Sequence, residues 1–156
     1  MSDFSLYLPA DFGYLHLASE FTRGVCRLLP ERVRNTDFLY DIELAFSEAC
    51  TNAMLHGENS KGQIFINYKI CQDKFQISVS EKGKGFDLDK ISPPNMEVPQ
   101  EGGYGVFIIK LKMDTDEYQR GKKWNTLTMT KYYSSADLNP SLKNTPLAPP
   151  KHNHLQ

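Results

Sequence analysis

The chain has 156 residues, 40% hydrophobic and 24% charged, a balance that suits one globular domain with a single core rather than a disordered or fibrous chain. Its 18 basic and 19 acidic residues leave a formal charge of -1, so no broad basic face marks a direct nucleic-acid binder or an anionic-membrane binder. No apolar run reaches membrane-spanning length, and the start MSDFSLYLPADFG lacks a basic stretch followed by an apolar one, so neither anchor nor signal peptide is expected.

Residues 4–8, FSLYL, read as a short strand. Pro9 and Asp11 then open a helix in which Leu15, Leu17, Phe21, Val25 and Leu28 recur at roughly helical spacing until Pro30. A second helix starts near Thr36 or Asp37, either of which suits a cap, and runs to Gly57 with Ile42, Ala45, Phe46, Ala49 and Ala53 as its core stripe. The alternating runs QIFINYKI (63–70) and KFQISVS (74–80) predict an antiparallel hairpin with Ile64, Ile66, Tyr68 and Ile70 on one face. Residues 88–101 hold three prolines and little periodicity, which reads as a loop of the length used for lids.

From Gly102 a glycine turn leads into a helix carrying Val106, Ile109, Leu111 and Met113, and a last hairpin turns at Gly121 and Lys122. Residues 1–133 thus read as one domain. Residues 134–156, with four of the nine prolines and few apolar side chains, read as a disordered tail. The three cysteines, Cys26, Cys50 and Cys71, are odd in number and far apart, which fits small apolar residues in a reducing cytoplasm better than a disulfide or zinc framework. The element order predicts a two-layer α/β sandwich whose mixed, mostly antiparallel sheet is covered on one face by helices, not the alternation of a doubly wound fold.

Three groups of residues bear on chemistry. Glu48 and Asn52 stand four apart, on one face of the second helix, and offer hard oxygen atoms of the kind Mg²⁺ accepts, although by spacing alone they read as an ordinary solvated helix face. Glu81-x-Gly83-x-Gly85 follows a strand directly, where glycine permits close approach of a ligand to the main chain, although alone the pattern reads as a tight turn leaving the strand. Gly102, Gly103 and Gly105 feed a helix N-terminus, an arrangement that presents free N–H groups to a phosphate. The patterns G-x-x-x-x-G-K-[ST] and G-x-G-x-x-G are both incomplete, Ile108 standing where the last glycine of the second would be, and no H-R-D-type loop is present.

Taken in order, these segments resemble the histidine-kinase-like (GHKL) ATPases and, within them, the anti-sigma factor serine/threonine kinases. ELAFSEACTNAMLHG is similar to their N box, VSEKGKGFD to the first glycine box, EGGYGVFIIKLKMD to the second and NTLTMTKYY to their closing strand, a likeness covering about residues 4–133. Only 47 residues precede Glu48, too few for a helical phosphoacceptor domain, and His16 lacks the surroundings of a phosphoacceptor, so a structural role is expected for it.

The resemblance implies a Bergerat-type ATPase fold, ATP and Mg²⁺ as cofactors, and a role for each matching residue. Glu48 matches the general base toward a serine hydroxyl, and Asn52 the Mg²⁺ ligand. Glu81, Gly83 and Gly85 match the adenine pocket, Gly103, Tyr104 and Gly105 the phosphate end, and Thr126 the threonine near adenine; His56 and Gly57 match the end of the N box. The implied function is a cytoplasmic anti-sigma factor that phosphorylates a STAS-type anti-anti-sigma protein, with the sigma factor as its other partner and a homodimer admitted. Two positions depart from the pattern: Glu81 stands where aspartate is usual, and Glu101 where some relatives carry arginine. They motivate a competing expectation, a nucleotide-gated binding module that has lost catalysis.

Overall fold

The computed structural model describes residues 1–56, 62–83, 85 and 104–133. The expected lid and tail, together with Gly57, Glu101, Gly102 and Gly103, lie outside the described residues.

Strand β1 (Ser2–Pro9) exceeds the 4–8 run at both ends because it pairs along its whole length with β2 (Gln63–Ile70), from Ser2 opposite Ile70 to Pro9 opposite Gln63. Asp11 accepts the Gly13 N–H at 2.7 Å and caps a single 3₁₀ turn, so helix α1 (Leu15–Cys26) begins later than Pro9 suggests and ends before Pro30. Its buried stripe is Ala18, Thr22, Val25 and Cys26, with Leu15 and Phe21 packed at the edge of the core. Leu17 and Leu28, expected in that stripe, are 52% and 59% exposed: Leu17 sits one residue out of phase with Ala18, and Leu28 lies beyond the helix end. His16 is exposed on the same helix.

Helix α2 (Thr36–His56) is capped by Asn35, one residue before Thr36 and two before Asp37, since Asn35 Oδ1 accepts the Phe38 N–H at 2.9 Å. All five residues of its expected stripe are buried. Strands β2 and β3 (Lys74–Glu81) form the predicted hairpin, and helix α3 (Tyr104–Lys112) precedes β4 (Thr115–Arg120) and β5 (Asn125–Tyr132). On α3, Val106 and Ile109 are buried and Met113 follows them into the core. Leu111 is 66% exposed because two residues of a helix turn it to the side opposite Ile109.

The strand order is β1-β2-β3-β5-β4, and each neighbouring pair is antiparallel, so the sheet is uniformly antiparallel rather than mixed. On its inner face Ile64, Ile66 and Tyr68 oppose Glu81, Val79 and Ile77, and Asn125, Leu127 and Met129 extend the same layer. The helices close over this layer. Thr22 donates its hydroxyl hydrogen to the Ala18 carbonyl at 2.9 Å, so the buried Tyr68 phenol donates to Thr22 at 2.8 Å and ties α1 to β2. Burial pushes the Tyr68 pKa up and keeps that donor neutral. The outer face is polar, with Gln76–Thr130, Ser78–Thr128 and Ser80–Thr126 bonded across the strands. Cys26 and Cys50 are buried as expected, with the Cys26 thiol pushed up to about 12 by burial, whereas Cys71 is half-buried.

Asp41 joins α2 to α3 and β5, accepting from Lys112 at 2.9 Å and Lys131 at 3.0 Å. Burial alone would raise its pKa, but the hydrogen bonds and charges of the two lysines together hold it below the ordinary carboxylate range. A depressed carboxylate stabilises the fold above its unfolded pKa of about 4, and that contribution is lost as pH falls through the lower folded value. Asp41→Asn is therefore expected to lower the melting temperature by about 3 °C near neutral pH, an effect in the range of partly exposed ion pairs. In thermal melts at about pH 2 the difference from the unmodified protein should vanish; an equal difference at both pH values would exclude the charge as its cause.

Candidate functional site

The site takes its parts from α2, the end of β3, the start of α3 and the β4–β5 hairpin. Glu48 and Asn52 lie one turn apart on α2, half-buried beside the core stripe that fixes the rotation of the helix. Gly105, in the first turn of α3, stands directly against them. A Cβ at Gly105 would come 2.7 Å from Glu48 Oε2 and 3.3 Å from Asn52 Nδ2, so the missing side chain is what keeps the space beside the carboxylate and carboxamide open. The first turn of α3 contains no acidic residue and its last turn carries Lys110 and Lys112, a charge order that complements the helix dipole. The N-terminal end of α3 thus brings outward-facing amide groups to the two α2 residues.

At the end of β3, Glu81 is 2% exposed, and the register sets Asn125 of β5 directly opposite it. Asn125 Nδ2 donates to Glu81 Oε1 at 2.9 Å and to the Gly83 carbonyl at 3.0 Å, while Tyr118 of β4 donates its hydroxyl to Glu81 Oε1 at 3.2 Å. Glu81 Oε2 is buried without a hydrogen-bond partner among the described residues. Gly85 has φ 64°, and a Cβ there would come 2.6 Å from Tyr118 Oη and 2.9 Å from Asn125 Nδ2. Both the backbone conformation and the close approach explain the second glycine of the first box.

Of the residues expected in a site, Glu48, Asn52 and Gly105 come together, and Glu81, Gly83 and Gly85 form a second cluster. Tyr104 begins α3, next to Gly105. Thr126 does not join them. Opposite Ser80 in the register, it bonds Ser80 Oγ at 2.8 Å on the outer face, and Asn125 occupies the inner position instead. Asn125 and Tyr118 were not expected from the sequence. Strand alternation carries the signal for Asn125: residues opposite each other share a face, so the partner of Glu81 has to be Asn125, but only once the register is known. Gly103 and the His56 side chain lie outside the described residues.

The donor set also bears on a metal. Among the described residues no group of three or more His, Cys, Asp or Glu side chains could hold an ion by itself. A carboxylate and a carboxamide beside an open helix N-terminus do fit Mg²⁺, which takes few protein ligands and completes its shell with water and phosphate oxygens.

The same segments match a family model, that of the histidine kinase-like ATPase domain, across residues 8–131. The chain belongs to this family. Among relatives of the histidine kinase-like ATPase family, a serine-protein kinase RsbW of Bacillus velezensis is 32% identical over 136 residues, covering 80% of this chain and 82% of its own. The RsbW of Oceanobacillus iheyensis is 37% identical over 106 residues, 58% of this chain and 67% of its own. These likenesses place the chain with the anti-sigma factor serine kinases of the histidine kinase-like ATPase family. In fold, it is similar to the crystal structure of the RsbU and RsbW domains of a Mycobacterium tuberculosis protein, with TM-score 0.62 and 18% identity over 86% of this chain and 33% of that one.

Proposed function

We propose that the chain is an ATP-dependent protein serine kinase that binds a sigma factor and phosphorylates a STAS-type antagonist, so that phosphorylation of the antagonist governs release of the sigma factor. The observation that carries this reading is the approach of Gly105 to Glu48 and Asn52, which brings a carboxylate, a carboxamide and a helix N-terminus together; phosphoryl transfer calls for groups of these kinds. Glu48 accepts the proton of the incoming serine hydroxyl as its oxygen bonds to the terminal phosphorus and the bond to the ADP leaving group breaks. Asn52 would hold Mg²⁺, which supplies charge neutralisation between the phosphates. The amides at the start of α3, at Tyr104 and Gly105, bind phosphate oxygens, and Glu81 faces the adenine base beside Gly83 and Gly85.

No helix among the described residues is long and apolar enough to cross a membrane. Strand β1 forms one edge of the sheet, and together with α1 it offers a surface through which a homodimer would assemble.

The test is incubation of the protein with Mg-ATP and a STAS-domain substrate. Phosphoserine is the expected product, and its absence overturns the kinase reading. The competing reading, a nucleotide-gated binding module, is motivated by Glu81 in place of aspartate. It gains if calorimetry finds partner affinity that responds to ATP while no phosphoserine forms.

A further inference from the structure

We infer that Tyr118 and Asn125 are positioning residues that fix Glu81 so that its second carboxylate oxygen receives the exocyclic amine of adenine, making the site selective for adenine over 6-oxopurine nucleotides. This rests on the ATP-binding reading above and assigns to two further residues a role in choosing the base.

Glutamate carries one more rotatable bond than aspartate, and a free glutamate side chain at the end of a strand distributes itself over several rotamers. Here both donors fall on one oxygen. Asn125 reaches Oε1 from directly across the β3–β5 pair at 2.9 Å, and Tyr118 reaches the same atom from β4 at 3.2 Å. Three-point geometry fixes the carboxylate: the backbone of β3 holds one end, and two donors from different strands hold the other. Asn125 also binds the Gly83 carbonyl at 3.0 Å, so the same carboxamide sets the position of the glycine turn relative to the carboxylate. Gly85 packs onto both clamping groups, as its 2.6 Å and 2.9 Å Cβ approaches show.

What remains is Oε2, in a residue only 2% exposed, with no partner among the described residues. A carboxylate oxygen is an acceptor only, and a buried one calls for a donor. The 6-amino group of adenine is such a donor. The 6-oxo group of hypoxanthine or guanine is another acceptor and would meet the carboxylate with repulsion. A site built on a buried polar group rejects the analogue that leaves it unpaired more strongly than an apolar pocket rejects a misfit. Selectivity therefore depends on keeping Oε2 in place, which is the work of the two residues on Oε1.

The full chain is titrated by calorimetry with Mg-ATP and with Mg-inosine triphosphate, which differs at position 6. The unmodified protein is expected to favour ATP by about 100-fold or more. Tyr118→Phe should reduce that preference by about tenfold, the worth of one hydrogen bond to a charged group, with little change in melting temperature. In a Glu81→Gln background, whose amide offers both a donor and an acceptor, the preference should be small and Tyr118→Phe should no longer alter it. Asn125→Ala is expected to act like Tyr118→Phe, and Tyr118→Phe alone decides the matter if the alanine variant does not fold. Equal loss of affinity for both nucleotides in Tyr118→Phe would show a structural role only and overturn the inference. Binding of ATP without preference over inosine triphosphate overturns it too and leaves the kinase reading standing. Failure of the unmodified protein to bind ATP overturns both.

Discussion

Glu48→Gln is expected to reduce serine phosphorylation by about 10³-fold while leaving ATP affinity and melting temperature unchanged. Glutamine keeps the size and shape of the side chain, so the packing of α2 beside α3 is preserved and the space next to Gly105 stays as it is. What is lost is the proton acceptor. A base that acts only while the serine hydroxyl is being deprotonated affects the transition state and not the bound ground state, so turnover falls without a matching change in binding. Single-turnover phosphorylation measured alongside calorimetry separates the two. Unchanged phosphorylation in Glu48→Gln would remove Glu48 from the mechanism and require another base.

Gly105→Ala should reach a similar loss by a different route. The added methyl would lie 2.7 Å from Glu48 Oε2 and 3.3 Å from Asn52 Nδ2, closer to the first than real Cβ contacts come. The nearest atom is the far end of a flexible side chain, so the fold can relieve the clash by rotating Glu48 away. Alanine also favours the helix over glycine by about 1 kcal/mol, which offsets the cost of that rotation. The expected result is a melting temperature close to that of the unmodified protein with phosphorylation lowered by about 10²-fold, because displacing a reacting group by about 1 Å has an effect of that size. A variant that loses structure and activity together would show instead that the region is rigid and that Glu48 cannot move. Full activity in a folded variant would mean that Glu48 does not need to occupy the position seen here.

The chain's periodicity made most of the fold legible. The α2 stripe of Ile42, Ala45, Phe46, Ala49 and Ala53 is buried as its spacing requires, and the β2–β3 hairpin follows from two alternating runs. These are local signals, set by the repeat of helix and strand. Local signals also have a limited resolution: Leu111 is as apolar as Ile109, and only the rotation of α3 against α2 and the sheet decides that one is buried and the other exposed. The same holds for the helix cap, where Asn35, Thr36 and Asp37 are all competent and the path of the chain selects Asn35.

By itself, then, the sequence determined the order of elements, the faces of the long helix and the hairpin, and the three segments whose glycines and carboxylates resemble an ATP site. Tertiary structure alone decided which of those residues meet. The approach of Gly105 to Glu48 joins segments far apart in the chain, and no spacing rule connects them. The register of β3 against β5 turned Asn125 toward Glu81 and Thr126 to the outer face. A strand reverses its face at every residue, so a shift of one position exchanges an inner-face residue for an outer-face one, and only the pairing of distant strands sets that position.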